Sequence, residues 1–260
     1  MKYILTLLLV PLQIFAQLPD STLKKIDEIF KNYNSKTPGC AVAVTKNGEL
    51  ILQKGYGSAN LEYNIPITPQ TIFHIASVSK QYVAFCMLLL EKEGKLSLDD
   101  DIRKHLDYVP DFGHTITIRQ LIWHTSGLRD QWQLFANAGW QLDDVIKQEH
   151  VVKMVSAQKS LNFKPGEEWM YCNTGYTLMA EIVKKVSGLT LRQYTEQNIF
   201  KPLGMNDSHF NDNYEELVPG RAYSYSGSGT SYKNSVLSYS TYGATSLLTT
   251  VLDEAKWLNN

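Results

Sequence analysis

Residues that can make and break acyl bonds stand at short, fixed spacings in this chain. Ser77 and Lys80 are three apart in Ile75-Ala76-Ser77-Val78-Ser79-Lys80-Gln81-Tyr82. Residues three apart on a helix are surface neighbours, so the Lys80 amine can reach the Ser77 hydroxyl and take its proton. A serine at a helix start also has backbone N–H groups without intrahelical acceptors beside it, which suit a developing oxyanion. Tyr171 and Asn173 form a second pair, in Tyr171-Cys172-Asn173. Two apart in extended chain, they face the same way. A phenol next to an ammonium can relay a proton to a leaving group. The asparagine amide can orient the lysine and a substrate carbonyl. The chemistry expected is acyl transfer on serine.

Each signal is weak by itself. Ser-x-x-Lys occurs three times, at Ser21/Lys24, Ser77/Lys80 and Ser156/Lys159, and Tyr-x-Asn recurs at Tyr232/Asn234. An N-cap serine with an exposed lysine, or a cap beside a packed ring, would read the same. Context separates Ser77 from the others. It stands where an irregular segment with Pro66 and Pro69 becomes a nearly all-apolar run, Ser79 to Glu93, closed by Gly94. Such a run predicts a buried helix, and burial lowers a lysine's pKa toward that of a usable base.

The elements that must position these residues are read from periodicity and turn chemistry. Asp20 and Ser21 are expected to cap a helix with Leu23, Ile26, Phe30 and Tyr33 on one face. Cys40–Thr45 and Leu50–Tyr56, joined by Asn47-Gly48, predict a β-hairpin. Asp99-Asp100-Asp101 is expected to cap a short helix, with a metal site as the second choice. Further helices are predicted over Thr117–Trp123, Leu142–Val155, Thr174–Ser187, Leu191–Phe200 and from Thr250 onward. The Tyr-, Ser- and Gly-rich stretch from Ala222 to Tyr242 predicts either a pocket wall or a surface loop. No run of several good strands is evident after Gly94. Two strands alone make no stable sheet, so further strands are expected beyond Asn260.

Composition narrows the function class. The chain has 260 residues, 43% hydrophobic, 20% charged, with a net charge of −1. That is an ordinary globular composition with no electrostatic case for nucleic acid or an anionic membrane. Lys2 followed by the apolar run Tyr3 to Ala16 has the form of a secretory signal over residues 1–16, cleaved after Ala16. It is too short to span a bilayer, which takes ~20 apolar residues, so no stable span is expected after cleavage. A periplasmic or extracellular location follows from that reading. Cys40, Cys86 and Cys172 are expected as buried thiols rather than a disulfide framework. No cofactor or metal is expected, since histidines in helical metal spacing are absent, as are a Gly-x-Ser-x-Gly elbow and a dinucleotide loop. The substrate partner expected is a small molecule or peptide.

In order, the motifs Phe73-His74-Ile75-Ala76-Ser77-Val78-Ser79-Lys80, Gly94-Lys95-Leu96-Ser97-Leu98-Asp99-Asp100, Ile116–Leu128 with His124-Thr125-Ser126-Gly127-Leu128, Phe163-Lys164-Pro165-Gly166-Glu167, Tyr171-Cys172-Asn173 and Phe200–Met205 form a set. That set resembles the serine β-lactamase and penicillin-binding-protein superfamily, and within it the class C-like branch with DD-peptidases and esterases. The resemblance runs from about residue 22 to 258. It implies an α/β plus all-α, two-lobed fold, an antiparallel sheet flanked by helices and a helical lobe, with the site between them. Residues 17–75 would then form part of the α/β lobe and 76–240 the mostly helical lobe of a domain over 17–260. It implies Ser77 as acyl-forming nucleophile, Lys80 as its activator, Tyr171 as proton relay and Asn173 as a substrate contact. The family's third motif, Lys-Thr/Ser-Gly or His-x-Gly, does not occur in these residues. The late strand that carries it also supplies the second oxyanion donor in the family. A C-terminal truncation would explain both gaps. The competing expectations are an exported serine hydrolase, a non-catalytic peptide- or cell-wall-fragment-binding module, and an inactive fragment.

Overall fold

The computed structural model describes residues 18–260 except 230, 236 and 239. The segment read as a secretory signal, 1–16, lies outside the described residues. Helix α1 (Asp20–Ile29) leads into the hairpin β1 (Cys40–Lys46) and β2 (Glu49–Tyr56). The hairpin forms where Asn47-Gly48 predicts it. Both turn residues have positive φ, 52° and 80°, the geometry whose twist matches an antiparallel pair. The helix cap differs from expectation. Pro19 holds the N-cap position, no side chain caps there, and Asp20 is the first helical residue. Its carboxylate there still suits the positive end of the helix dipole.

Strands β3 (Ser58–Asn60), β4 (Ile65–Pro66) and β5 (Phe73–His74) lead to a 3₁₀ turn, Ala76–Ser79, and helix α2 (Lys80–Lys92). Tyr82, Val83, Cys86, Met87 and Leu90 are buried along α2, a spacing of one helical face. Asp101 caps the short 3₁₀ helix Ile102–Lys104 by accepting from Arg103 N at 2.9 Å. Capping is therefore the role of Asp101, while Asp100 accepts from Ser97 N at 3.0 Å and Asp99 pairs with Arg119 at 2.8 Å. Among the described residues no cluster of His, Cys, Asp or Glu could hold a metal ion.

Next come α3 (Ile118–Ile122), α4 (Gln131–Asn137), α5 (Gln148–Ser156), α6 (Asn173–Ser187) and α7 (Leu191–Thr195). A π-turn, Glu196–Phe200, joins α7 to the single turn α8 (Lys201–Leu203). The helix expected over Leu142–Val155 begins only at Gln148. Before it, Asp144 accepts from Gln141 N at 2.7 Å and closes a turn instead. Helix α4 was not expected: its seven residues are too few for a clear period, and Asp130 caps it. Central helix α6 is buried at Thr174 through Ala180 and at Ile182 and Val183. Helices α2, α3, α4, α5 and α7 all pack against it.

The mostly helical second part also holds four short strands that the sequence did not signal: β6 (His209–Phe210), β7 (Tyr225–Ser228), β8 (Ser231–Asn234) and β9 (Leu247–Thr249). Strands of two to four residues are too brief for an alternation to be read. The order β5-β9-β6 forms an antiparallel sheet, and β7 pairs with β8 as a hairpin. Helix α9 (Val251–Leu258), capped by Thr250 as expected, packs on β1 and β2. No helix of the described residues is long and apolar enough to cross a membrane.

Gly127 packs its backbone against that of Asn162 and Phe163. Its φ is 73°, and an added Cβ would stand 2.1 Å from the Phe163 carbonyl oxygen. The Gly127→Ala variant is expected to lose about 3 kcal/mol of stability, from left-handed strain plus forced movement of backbone. Urea unfolding measures this, and a loss below about 1 kcal/mol would contradict it.

Candidate active site

Three chain segments meet around Ser77. The first is the 3₁₀ turn at the end of β5. Ala76 has φ 47°, an uncommon value for a residue with a side chain. Strain of this kind persists only where the surroundings fix it. Here Ser79 fixes it: its hydroxyl donates to Ala76 O at 2.5 Å and accepts from Leu247 N at 3.0 Å. Ile75 N also donates to Leu247 O at 3.0 Å. The turn is thus tied to β9, and Ser77 stands exposed in its first residues. On either side of Ser77, Ala76 N donates to His74 Nδ1 at 3.3 Å and Val78 N to Ile75 O at 3.1 Å.

Lys80 opens α2 one turn later and is 7% exposed. Its Nζ donates to Ser77 Oγ at 3.1 Å, Asn173 Oδ1 at 2.9 Å and Ala244 O at 2.6 Å. It also lies 4.9 Å from the Tyr171 ring centroid and 5.5 Å from that of Tyr176. Burial pushes the ammonium below its ordinary pKa of 10.5, against the opposing pull of the Tyr171 hydrogen bond and the Asp130 carboxylate. Desolvation wins because three hydrogen bonds do not replace a full hydration shell.

The second segment carries Tyr171 and Asn173. Cys172 between them is extended, φ −141° and ψ 116°, so both side chains face the lysine. Tyr171 Oη donates to Ser77 Oγ at 2.8 Å. Its ring packs on His124, centroids 4.6 Å apart. Burial and the Lys80 charge push His124 below its ordinary pKa of 6.5. The neutral imidazole accepts from Cys172 N at 3.1 Å through Nδ1. Cys172 itself is no nucleophile: burial pushes its thiol up to about 11, and Sγ donates to Leu128 O at 3.4 Å. All three cysteines are free thiols; Cys86 and Cys172 are buried and Cys40 is half-buried.

The third segment runs from Thr241 to Leu247 and contributes a carbonyl, Ala244 O. Sequence patterns cannot show a main-chain ligand. Asp130 was also missed. Oδ2 accepts from Asn173 N at 2.6 Å and Asn173 Nδ2 at 2.8 Å, while Oδ1 accepts from Trp132 N at 2.9 Å. The available signal was an aspartate directly before Gln131-Trp132, where an N-cap belongs.

The structure brings Ser77, Lys80, Tyr171 and Asn173 together. It separates them from the repeated motifs. Ser21, Lys24, Ser156 and Lys159 are exposed, and Ser156 Oγ donates to Lys153 O at 2.8 Å. Asn234, on β8, donates to Glu62 Oε1 at 3.2 Å. The Tyr-rich stretch does form part of a cavity wall, around about 710 Å³ with Tyr214, Tyr223 and Leu237 in its lining, but none of the four candidate residues lines it.

The family model for beta-lactamase matches residues 24–260. The chain belongs to the beta-lactamase family. The Bacillus subtilis (strain 168) protein PbpX, which carries a penicillin-binding-protein name, is 34% identical over 188 residues, 72% of this chain and 45% of PbpX. A D-aminopeptidase of Brucella anthropi is 35% identical over 173 residues, 66% of this chain and 32% of that enzyme. Among solved structures, the octameric penicillin-binding protein homologue from Pyrococcus abyssi superposes with a TM-score of 0.79 at 31% identity, covering 93% of this chain and 56% of that one. The β-lactamase/transpeptidase-like fold expected from the motif set is thereby borne out. The chain spans less than half the length of these two curated relatives.

Proposed function

We propose that this beta-lactamase family member is an exported serine hydrolase that works through an acyl-enzyme on Ser77. The observation that carries the reading is the pair of contacts on Ser77 Oγ, 3.1 Å from Lys80 Nζ and 2.8 Å from Tyr171 Oη. A nucleophile within hydrogen-bond reach of its base, with the base oriented in turn by other groups, is the pattern of covalent catalysis. In this reading Ser77 Oγ attacks a carbonyl carbon and its proton passes to neutral Lys80. The backbone N–H of Ser77 faces the developing oxyanion. The bond to the leaving group then breaks, and Tyr171 delivers a proton to the departing atom while drawing one from Lys80. Water attack on the ester regenerates Ser77. Asn173 holds Lys80 and meets the substrate.

Substrates proposed are amides or esters of small size: D-alanyl peptides, β-lactams or small esters. The names of the relatives, a penicillin-binding protein and a D-aminopeptidase, support the β-lactam and D-amino-acid amide part of that range. Export rests on the charged and apolar residues 1–16.

One mass-spectrometric experiment tests both parts. Protein recovered from expressing cells is treated with a fluorophosphonate and, separately, a labelled penicillin. At least one adduct is expected on the peptide containing Ser77 and none on Ser77→Ala, with Gln17 as the first residue of the mature chain. Saturable ligand binding without any adduct, unchanged in Ser77→Ala, would establish a binding module instead. A retained residue 1 or 2 would overturn export.

A further inference from the structure

Asn173 can help Lys80 only if its amide is turned the right way. An amide has an accepting oxygen on one side and two donating hydrogens on the other. Turned over, it would press N–H groups against the lysine amine. The amide itself has no preference, so something outside it must set the choice. Asp130 is placed to do so. It is 7% exposed, and an ionised carboxylate only accepts. Its Oδ2 takes both Asn173 Nδ2, at 2.8 Å, and Asn173 N, at 2.6 Å. With Nδ2 held there, Oδ1 is left facing Lys80 Nζ at 2.9 Å.

We infer that Asp130 is the positioning residue of the Ser77 site: it fixes the Asn173 amide, and through it Lys80 against Ser77. This rests on the reading of Ser77 as nucleophile given above. The side chain has to be a carboxylate because its two oxygens serve two sets of donors. Oδ1 caps α4 through Trp132 N while Oδ2 serves Asn173. An asparagine has one oxygen. Whichever way it turns, an N–H meets an N–H, either at the start of α4 or at Asn173. Asp130 therefore couples the packing of α4 to the geometry of a lysine on α2, by way of the first residue of α6.

A double-mutant cycle separates positioning from mere structural support. The readout is the rate of fluorophosphonate labelling at Ser77, on variants whose cooperative melting confirms that they are folded. Asp130→Asn is expected to slow labelling about 100-fold, the order lost when a catalytic group is misplaced by an ångström. In the Asn173→Ala background the same change is expected to cost less than about 3-fold, because the link it acts through is gone. The loss of α4 capping would persist in both backgrounds and lower the melting temperature equally. Labelling of Asp130→Asn within about 3-fold of wild type, or a full-sized effect in both backgrounds, would overturn the inference. If wild type takes no label, the hydrolase reading fails, and a crystal structure of Asp130→Asn decides the positioning claim. Lys80 Nζ still within 3.1 Å of Ser77 Oγ, with Asn173 Oδ1 on the lysine, refutes it. A turned amide and a lysine drawn away from the serine supports it.

Discussion

Lys80→Met is expected to slow acylation of Ser77 by about 10,000-fold, the upper end for loss of a positioned general base. Methionine keeps the length and the apolar stem, so α2 should still pack. What goes is the amine that bridges Ser77, Asn173 and the Ala244 carbonyl. The pH dependence gives a second, independent signature. Only the neutral amine can accept the serine proton. The wild-type rate should therefore rise with pH as Lys80 deprotonates, with a midpoint below the ordinary 10.5, because burial lowers the lysine's pKa. Asp130, Tyr171, Cys172 and His124 all face this charge, and none replaces it as the proton acceptor in this scheme. Lys80→Met should lose the rise along with the rate. Pre-steady-state acylation measured from acid to alkaline pH checks both. A variant within about 10-fold of wild type, with the rise intact, would place the base elsewhere.

The residues at stake in that experiment were legible in the sequence for a definite reason. Ser77 and Lys80 belong to one helical turn, and Tyr171 and Asn173 to one extended tripeptide, so local spacing alone predicts which side chains share a direction. The burial of α2 was legible from its nearly all-apolar run, and the hairpin from Asn47-Gly48, whose turn type demands positive φ twice. What escaped is non-local. Asp130 meets Asn173 across 43 residues and Ala244 meets Lys80 across 164, and no spacing rule reaches that far. A carbonyl ligand leaves no mark on residue type at all. The strands β6 and β9 escaped because they are held by their neighbours rather than by their own alternation. Leu247 and Leu248 are fully buried, and β9 pairs with β5 on one side and β6 on the other. The start of α5 was misplaced because Leu142, in a turn, and Val145, just after it, are apolar in sequence but exposed.

Tyr171→Phe tests the other half of proton transfer, and its value lies in selectivity. Phenylalanine keeps the ring that packs on His124 at 4.6 Å and lies 4.9 Å from Lys80 Nζ. Only the hydroxyl that donates to Ser77 Oγ disappears. If that hydroxyl serves the leaving group, its loss should matter in proportion to the leaving group's need for a proton. Amides and alkyl esters, whose departing atoms are strong bases, should turn over about 1,000-fold more slowly. A nitrophenyl ester, which departs as a stable anion, should lose less than about 10-fold, because little proton transfer is then required in the transition state. The two rates measured on the same variant cancel any general damage to the site. An equal loss on both substrates would mean that Tyr171 only braces Ser77 and Lys80, and the relay would have to be sought in Lys80 itself. A loss confined to the amide and the alkyl ester would assign the two directions of proton transfer to two residues, Lys80 receiving and Tyr171 delivering. Both groups reach the same serine oxygen from different segments of the chain, 3.1 Å and 2.8 Å away, so it is the substrate dependence that tells the receiver from the deliverer.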